Sequence, residues 1–211
     1  MRLRKIVLLM SLVLFSVSSY AAQVSGIEGV YEKIDDIKFS FDGQQVEVME
    51  FLSFYCMHCY HFEKAIPVIK GNFPKRIRWT TVPIYWGSGS PKPGEAYFLA
   101  EEAGKGEEMK KALFQAALVD KRDIGDLAVL DDIGMKIGLG FDFSRRLRAG
   151  EKAREVGEAI LKSKAYKIEE TPSLVIAGNL KTGPGMFKGN TDLLRENVIL
   201  MLKSIFSSSQ K

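Results

Sequence analysis

Cysteine and histidine are scarce in this chain of 211 residues, which has two of each. A small secreted scaffold stapled by several disulfides is therefore excluded. So is a zinc module whose ligand pairs come from distant parts of the sequence. A strong charge of one sign is also missing. The formal net charge is +4, but Arg2, Arg4 and Lys5 precede any acidic residue, and beyond residue 21 the balance is 27 basic against 26 acidic side chains. That net of +1 gives no footprint for a nucleic-acid partner. No apolar run reaches the roughly 20 residues that span a bilayer. There is no internal repeat and no long Pro/Ser linker. What remains is ordinary globular composition, 46% hydrophobic and 27% charged, which argues against disorder or a coiled coil. The length suits one large domain or two small ones.

The first 21 residues have three parts. Arg2, Arg4 and Lys5 form a positive start, Ile6 to Val17 is apolar apart from Ser11 and Ser16, and Ser19-Tyr20-Ala21 supplies small residues at the end. This reads as a secretory signal peptide over residues 1–21, cleaved after Ala21. The chain from Ala22 is expected in an exported, oxidising space.

Gln44 to Ser53 is apolar at most positions of both faces, the pattern of a strand inside a covered sheet. Cys56 to Phe73 reads as a helix, because Cys59, Phe62, Ile66, Ile69 and Phe73 recur at helical spacings on one face. Pro67 should kink that helix rather than abolish it. Arg76 to Pro83 is a second strand and Gly87 to Gly94 a loop. Residues 95–168 are helical, with breaks near Gly104–Gly106, Asp120–Asp123 and Leu139–Asp142. Ser173 to Ala177 is a short apolar strand, Gly183-Pro184-Gly185 a turn, and Met186 to Lys188 an edge strand. Asn190 or Thr191 then caps a last helix, and the tail from Ser207 is loose. The order predicts an α/β fold, a mixed central sheet flanked by helices with one all-helical insertion.

All the cysteines and histidines lie in Cys56-Met57-His58-Cys59-Tyr60-His61. Cys56 opens the helix, where unpaired N–H groups and the positive end of the dipole favour an anion. Cys59 lies one turn in, on the apolar face. Cys56 is then the attacking thiolate and Cys59 the resolving partner, with His58 placed to stabilise the thiolate further. Three plainer readings compete. A structural disulfide across so short a loop removes little entropy from the unfolded chain. A zinc site would need one helix to send Cys56, His58, Cys59 and His61 to the corners of a tetrahedron, so no metal is expected. An inert reduced pair is disfavoured by the compartment. His61 reads as a partly exposed helix residue.

The run Glu50-Phe51-Leu52-Ser53-Phe54-Tyr55-Cys56-Met57-His58-Cys59-Tyr60-His61-Phe62-Glu63 resembles the active-site segment of the DsbA family, within the thioredoxin superfamily. Thr171-Pro172-Ser173, just before an apolar strand, resembles the family's cis-proline segment, and Ala22-Gln23 its mature start. The resemblance spans essentially the whole chain after the leader. It implies a thioredoxin fold in which the core (residues 22–90 and 167–211) is split by a helical insertion (residues 91–166). By the same resemblance Cys56 is the nucleophile, Cys59 its partner, His58 the thiolate stabiliser and Pro172 a cis-proline beside the disulfide. Thr171, Pro172 and Met57 would contact substrate, in an apolar groove near Pro172 and Met186-Phe187. Apart from the resemblance, Phe54, Tyr55 and Tyr60 could line the site with Tyr85-Trp86 at its flank, although aromatics in such positions are more often core.

The family also places a buried acid at Glu50 that moves protons to and from the resolving cysteine. Unpaired, a buried carboxylate costs several kcal/mol or takes up a proton. Two departures stand out. Met57 occupies a position where family members most often have proline. Thr81 stands where some members have a lysine paired with the buried acid, so Glu50 should hold its proton to higher pH.

The implied activity is that of a periplasmic thiol:disulfide oxidoreductase. It donates its Cys56–Cys59 disulfide to unfolded, reduced exported proteins, as a monomer and without a cofactor beyond that disulfide. A membrane-bound, quinone-linked reoxidant of the DsbB type is implied by the family alone. Two rivals stay open: an exported reductase or isomerase on the same fold, and a peptide-binding chaperone with a structural disulfide. Dimeric isomerases need an added dimerisation domain, for which Val24 to Phe41 is too short.

Overall fold

The β-propensity of Val46–Leu52 is realised as β2, buried at six of its seven positions. The computed structural model that places it describes residues 26–87 and 89–208. The leader expected over residues 1–21, its cleavage after Ala21 and the start at Ala22-Gln23 lie outside the described residues. So do the last three residues of the tail, while Ser207 and Ser208 are still helical.

β2 pairs in parallel with β3 (Ile77–Pro83) and antiparallel with β4 (Ser173–Ile176). β4 continues to β5 (Leu180–Thr182), which pairs with β1 (Glu32–Lys33) at the far edge. The order is β1-β5-β4-β2-β3, a mixed sheet of five strands. Ala177-Gly178-Asn179 reverses the chain between β4 and β5, with Ala177 at φ 50° and Gly178 at φ 85°. A Cβ on Gly178 would also stand 2.8 Å from the Lys38 carbonyl, so only glycine fits both the turn and its neighbour.

The expected edge strand over Met186 to Lys188 does not form. Pro184–Phe187 is a 3-10 turn, and the last strand is Leu180–Thr182, before the turn. Pro184 has no N–H for a ladder and fixes φ. The true edges are β1, too short to be marked by periodicity, and β3.

The expected kink is a break between α1 (Met57–Phe62) and α2 (Ala65–Asn72). Pro67 cannot bond the Glu63 carbonyl four residues earlier, and that carbonyl accepts from the Ile66 N–H instead, at 3.3 Å. Glu63 and Lys64 keep helical dihedrals, so the chain bends without leaving its course.

Between β3 and β4 run α3 (Lys92–Glu102), α4 (Gly106–Phe114), a π-turn (Gln115–Val119), α5 (Leu127–Lys136), α6 (Gly140–Ala149) and α7 (Ala153–Ala165). The loop expected to Gly94 ends at Pro91, since Pro93 sits in the first turn of α3, where its missing N–H costs nothing. A further break appears at Gly150, whose φ of 69° ends α6 behind Arg146 and Arg148. The last helix, α8 (Thr191–Ser208), is capped by Asn190, whose Oδ1 accepts from the N–H groups of Asp192 and Leu193.

Alternation along β2 sorts its side chains. Val46 and Val48 pack with Phe62, Ile66, Ile69 and the inner side of α8. Met49 and Phe51 pack on the other face with Val82, Ala159 and Val175. Leu52 belongs to a third core, inside the helical insertion, which also takes in Phe54, Cys59, Leu113 and Phe114. Glu50 stands on the face of Val48 and Leu52, at the seam between the first and third cores. Together the sheet, its flanking helices and the insertion make a thioredoxin fold with an inserted helical block.

Candidate active site

Cys56 is the N-cap of α1, with extended dihedrals (φ −98°, ψ 117°) that turn its sulfur back over the first turn. Sγ accepts the Cys59 N–H at 3.3 Å, and the thiol form donates to the Thr171 carbonyl at 3.1 Å. Hydrogen bonding from the Cys59 thiol is the largest cause that lowers the Cys56 pKa to about 6. Partial burial opposes it, and a Thr171 side-chain bond and the backbone N–H groups of Cys59 and His58 add to it. Cys59 is completely buried, and burial first, then the Cys56 bond and charge, hold its thiol far above the ordinary range. Two sulfurs three residues apart are thus divided into an anion at neutral pH and a neutral thiol, the pairing that exchange chemistry needs.

The Thr171–Pro172 peptide is cis and both residues are buried, with the Thr171 carbonyl against Cys56. Ser53, Tyr55, Cys56, Trp86, Gly89 and Thr171 line an open cleft of about 360 Å³. Tyr55 and Trp86 are 40% and 46% exposed, so the Cys56 sulfur sits in an aromatic-walled hollow. Phe54 instead packs into the insertion core against Tyr97 and Phe114, and Tyr60 also leans on Phe114.

Met57 lies exposed on the rim. The His58 imidazole abuts the loop before α8, where a Cβ on Gly189 would stand 3.3 Å from its Nε2. What residue 58 brings to the sulfur is its backbone N–H. The hollow beside Met186 is not the apolar groove expected there. Glu32, Glu169, Glu170 and Lys181 share its walls, and Glu170 is fixed by the Gly185 N–H at 3.0 Å.

Beneath the active-site helix, Glu50 is completely buried. Its Oε2 accepts the Trp79 indole N–H at 3.0 Å, and Oε1 has no hydrogen-bond partner among the described residues. Burial raises its pKa, opposed by the Lys110 charge and the Trp79 bond. Its register partner on β3 is Thr81. The missing strand cation is nonetheless replaced from elsewhere. Lys110 of α4, its side chain fully buried, pairs with Glu63 Oε1 at 3.2 Å and Glu107 Oε1 at 3.4 Å. Burial and then the Glu50 charge push Glu63 up to about 7, against Lys110. Burial pulls the Lys110 ammonium down, and the charges of Glu50, Glu63 and Glu107 more than offset that.

Glu63, Trp79 and Lys110 were not singled out from the sequence. A signal existed for two of them. Lys110 stands three and four residues before Leu113 and Phe114, at a core position of an amphipathic helix. Glu63 is four residues after Cys59 on the inner face of α1.

No family model matches the chain. Over 180 residues it is 27% identical to the thiol:disulfide interchange protein DsbA of Haemophilus influenzae, covering 81% of this chain and 82% of that relative. It is 22% identical to the Pseudomonas aeruginosa protein of the same name over 199 residues, 92% of this chain and 93% of the relative. Two solved structures share the fold. The oxidoreductase DsbA of Xylella fastidiosa superposes with a TM-score of 0.66 at 22% identity, over 85% of this chain and 95% of that one. Pseudomonas aeruginosa DsbA gives 0.68 at 18%, over 87% and 95%.

Proposed function

Since the chain belongs to the DsbA family of thiol:disulfide interchange proteins, we propose that it oxidises exported proteins by giving away a Cys56–Cys59 disulfide. A client thiolate attacks Cys56 Sγ. The Cys56–Cys59 bond breaks, its electron pair passes to the Cys59 sulfur, and that sulfur takes up a proton because its buried thiol strongly resists ionisation. A second client thiolate attacks the client sulfur of the mixed disulfide. Cys56 leaves as a thiolate, the client keeps the new disulfide, and two electrons remain on this protein. Return to the oxidised form falls to a membrane-bound, quinone-linked partner of the DsbB type. The apolar leader and the relatives' activity both favour the periplasm as the place of work.

One observation carries this reading: the Cys56 sulfur is held at a helix N-terminus with its pKa lowered to about 6. A thiol of low pKa is a good leaving group and favours oxidation of its partner. Thr171, Pro172 and the cleft between Tyr55 and Trp86 would hold the client chain, with Met57 at the rim. The test is alkylation of reduced protein with iodoacetamide across pH, together with capture of a thiol peptide by Cys59→Ala. A rate that rises with an apparent pKa near 6 and a trapped mixed disulfide on Cys56 are expected. A sulfur that ionises like a free cysteine, near 8.5, would remove the donor role. Capture of peptide without a covalent bond would favour a chaperone instead.

A further inference from the structure

We infer that Lys110 is a positioning residue of the exchange reaction: delivered by the helical insertion, its ammonium keeps the Glu50 and Glu63 carboxyl groups in the charge state from which a proton passes to and from the Cys59 sulfur. This rests on the functional reading above and concerns the step that reading leaves unsupplied. When the internal disulfide opens, Cys59 receives an electron pair and needs one proton. When it closes again, that proton must leave. Cys59 is completely buried, so the partner group must lie on the inner side of α1.

The geometry places one there. Glu63 is the C-cap of α1, one turn after Cys59, and its backbone N–H donates to the Cys59 carbonyl at 3.2 Å. Glu50 lies on the same face of β2 as Leu52, which shares a core with Cys59. Lys110 reaches this seam from α4, whose Leu113 and Phe114 belong to that core. The charged groups facing the cluster are Glu50 from β2, Glu63 from the end of α1, Lys70 from α2, and Glu107 and Lys110 from α4. Lys110 and Lys70 both draw Glu50 down, but only Lys110 is buried among the carboxylates.

Stability alone is a poor reason for this arrangement. A buried cluster of ions gains little over well-packed apolar side chains, because desolvation offsets the attraction. Lys110 occupies a position of α4 where an apolar residue would pack with Leu113 and Phe114. A charge that decides whether neighbouring carboxyls hold a proton near neutral pH has a use there. Glu63, with its pKa pushed to about 7, is poised for that.

The sign of the effect is fixed. Lys110 lowers the pKa of both carboxyls and Glu107 raises them. The experiment measures single-turnover reduction of the oxidised protein by a monothiol peptide from pH 4 to 9. With Lys110→Met the limb set by the carboxyls should move up by about one pH unit or more. With Glu107→Gln it should move down by a smaller step. Lys110→Arg should stay near the wild type. Thr81→Lys combined with Lys110→Met should return toward it, because Thr81 is the register partner of Glu50. Superimposable profiles for the wild type and Lys110→Met, or an upward shift in Glu107→Gln, would overturn the inference. If Lys110→Met fails to fold, Lys110→Gln, which keeps a polar head without the charge, decides by itself: an upward shift supports the role and an unmoved profile ends it. A wild type that does not react through Cys56 would instead refute the functional reading.

Discussion

The two ends of α1 treat charge in opposite ways. At its start, the Cys56 sulfur is held chiefly by the Cys59 thiol and by backbone N–H groups, beside an open cleft. At its end, Glu63, Glu50 and Lys110 meet in a largely buried seam between two cores, and each depends on the side chains of the others. Most donors at the mouth come with the helix itself, so they tolerate changes in Met57 and His58. The floor is an assembly of three separate elements, and one substitution can rearrange it. The lesson is that one short helix carries a robust site at its N-cap, Cys56, and a fragile one at its C-cap, Glu63.

The strongest way to break this comparison is Cys56→Ser. Oxidation of a dithiol peptide should fall to background, because Cys59 is buried and its thiol stays protonated. Turnover that survives would put the reaction elsewhere.

Phe114→Ala should follow in size. Phe114 packs edge-on against Phe54 and also against Tyr60, which bracket the cysteine pair. The loss of so large a buried ring costs about 3–5 kcal/mol, readable as a lower urea midpoint with unchanged slope. A change below about 1 kcal/mol would mean that the insertion does not brace the site.

Comparison of reduced and oxidised protein by urea unfolding at several pH values sharpens the picture of the mouth. The folded Cys56 pKa of about 6 lies well below the ordinary cysteine value of about 9. Its ionisation therefore contributes nothing to the stability of the reduced form below about pH 6. The contribution grows between 6 and 9 and is complete above 9. Above about pH 9 the raised pKa of Cys59 acts in the opposite sense, because the unfolded thiol ionises and the folded one does not. The oxidised form has neither thiol, so the reduced form should gain on it from pH 6 to 9. A gap that stays flat over that range would contradict the held anion.

The smallest effect is expected from Met57→Pro. Position 57 opens α1, where proline fits without losing a bond, and Cys56 already has the extended dihedrals that a following proline requires. The donors to the sulfur come from residues 58 and 59. The Cys56 pKa should move by less than about half a unit, as read by alkylation. A larger shift would show that the rim side chains do hold the charge.

Much of the fold could be read along the chain. β2 declared itself by its apolar run, α1 and α2 by the spacing from Cys59 to Phe73, and α8 by Asn190 as its cap. The misplaced elements have local causes. β1 and β5 have two and three residues, too few to show alternation. Met186 and Phe187 have strand-like side chains, but Pro184 commits them to a 3-10 turn. Of the site, Cys56 and Cys59 with their unequal roles followed from position on a helix. The cation beside Glu50 did not, because the expected place was the neighbouring strand and the lysine comes from α4, 60 residues further along the chain.

The sequence by itself determined which sulfur is exposed to donors and which is buried: an N-cap position and a place on the apolar face are properties of one short helix, fixed by residue order and helical period. Only the tertiary structure decided what surrounds the second sulfur and Glu50. The charge of a buried carboxyl depends on every group within a few ångströms in a medium that screens poorly, and Lys110 and Trp79 arrive there from separate elements once the cores have closed.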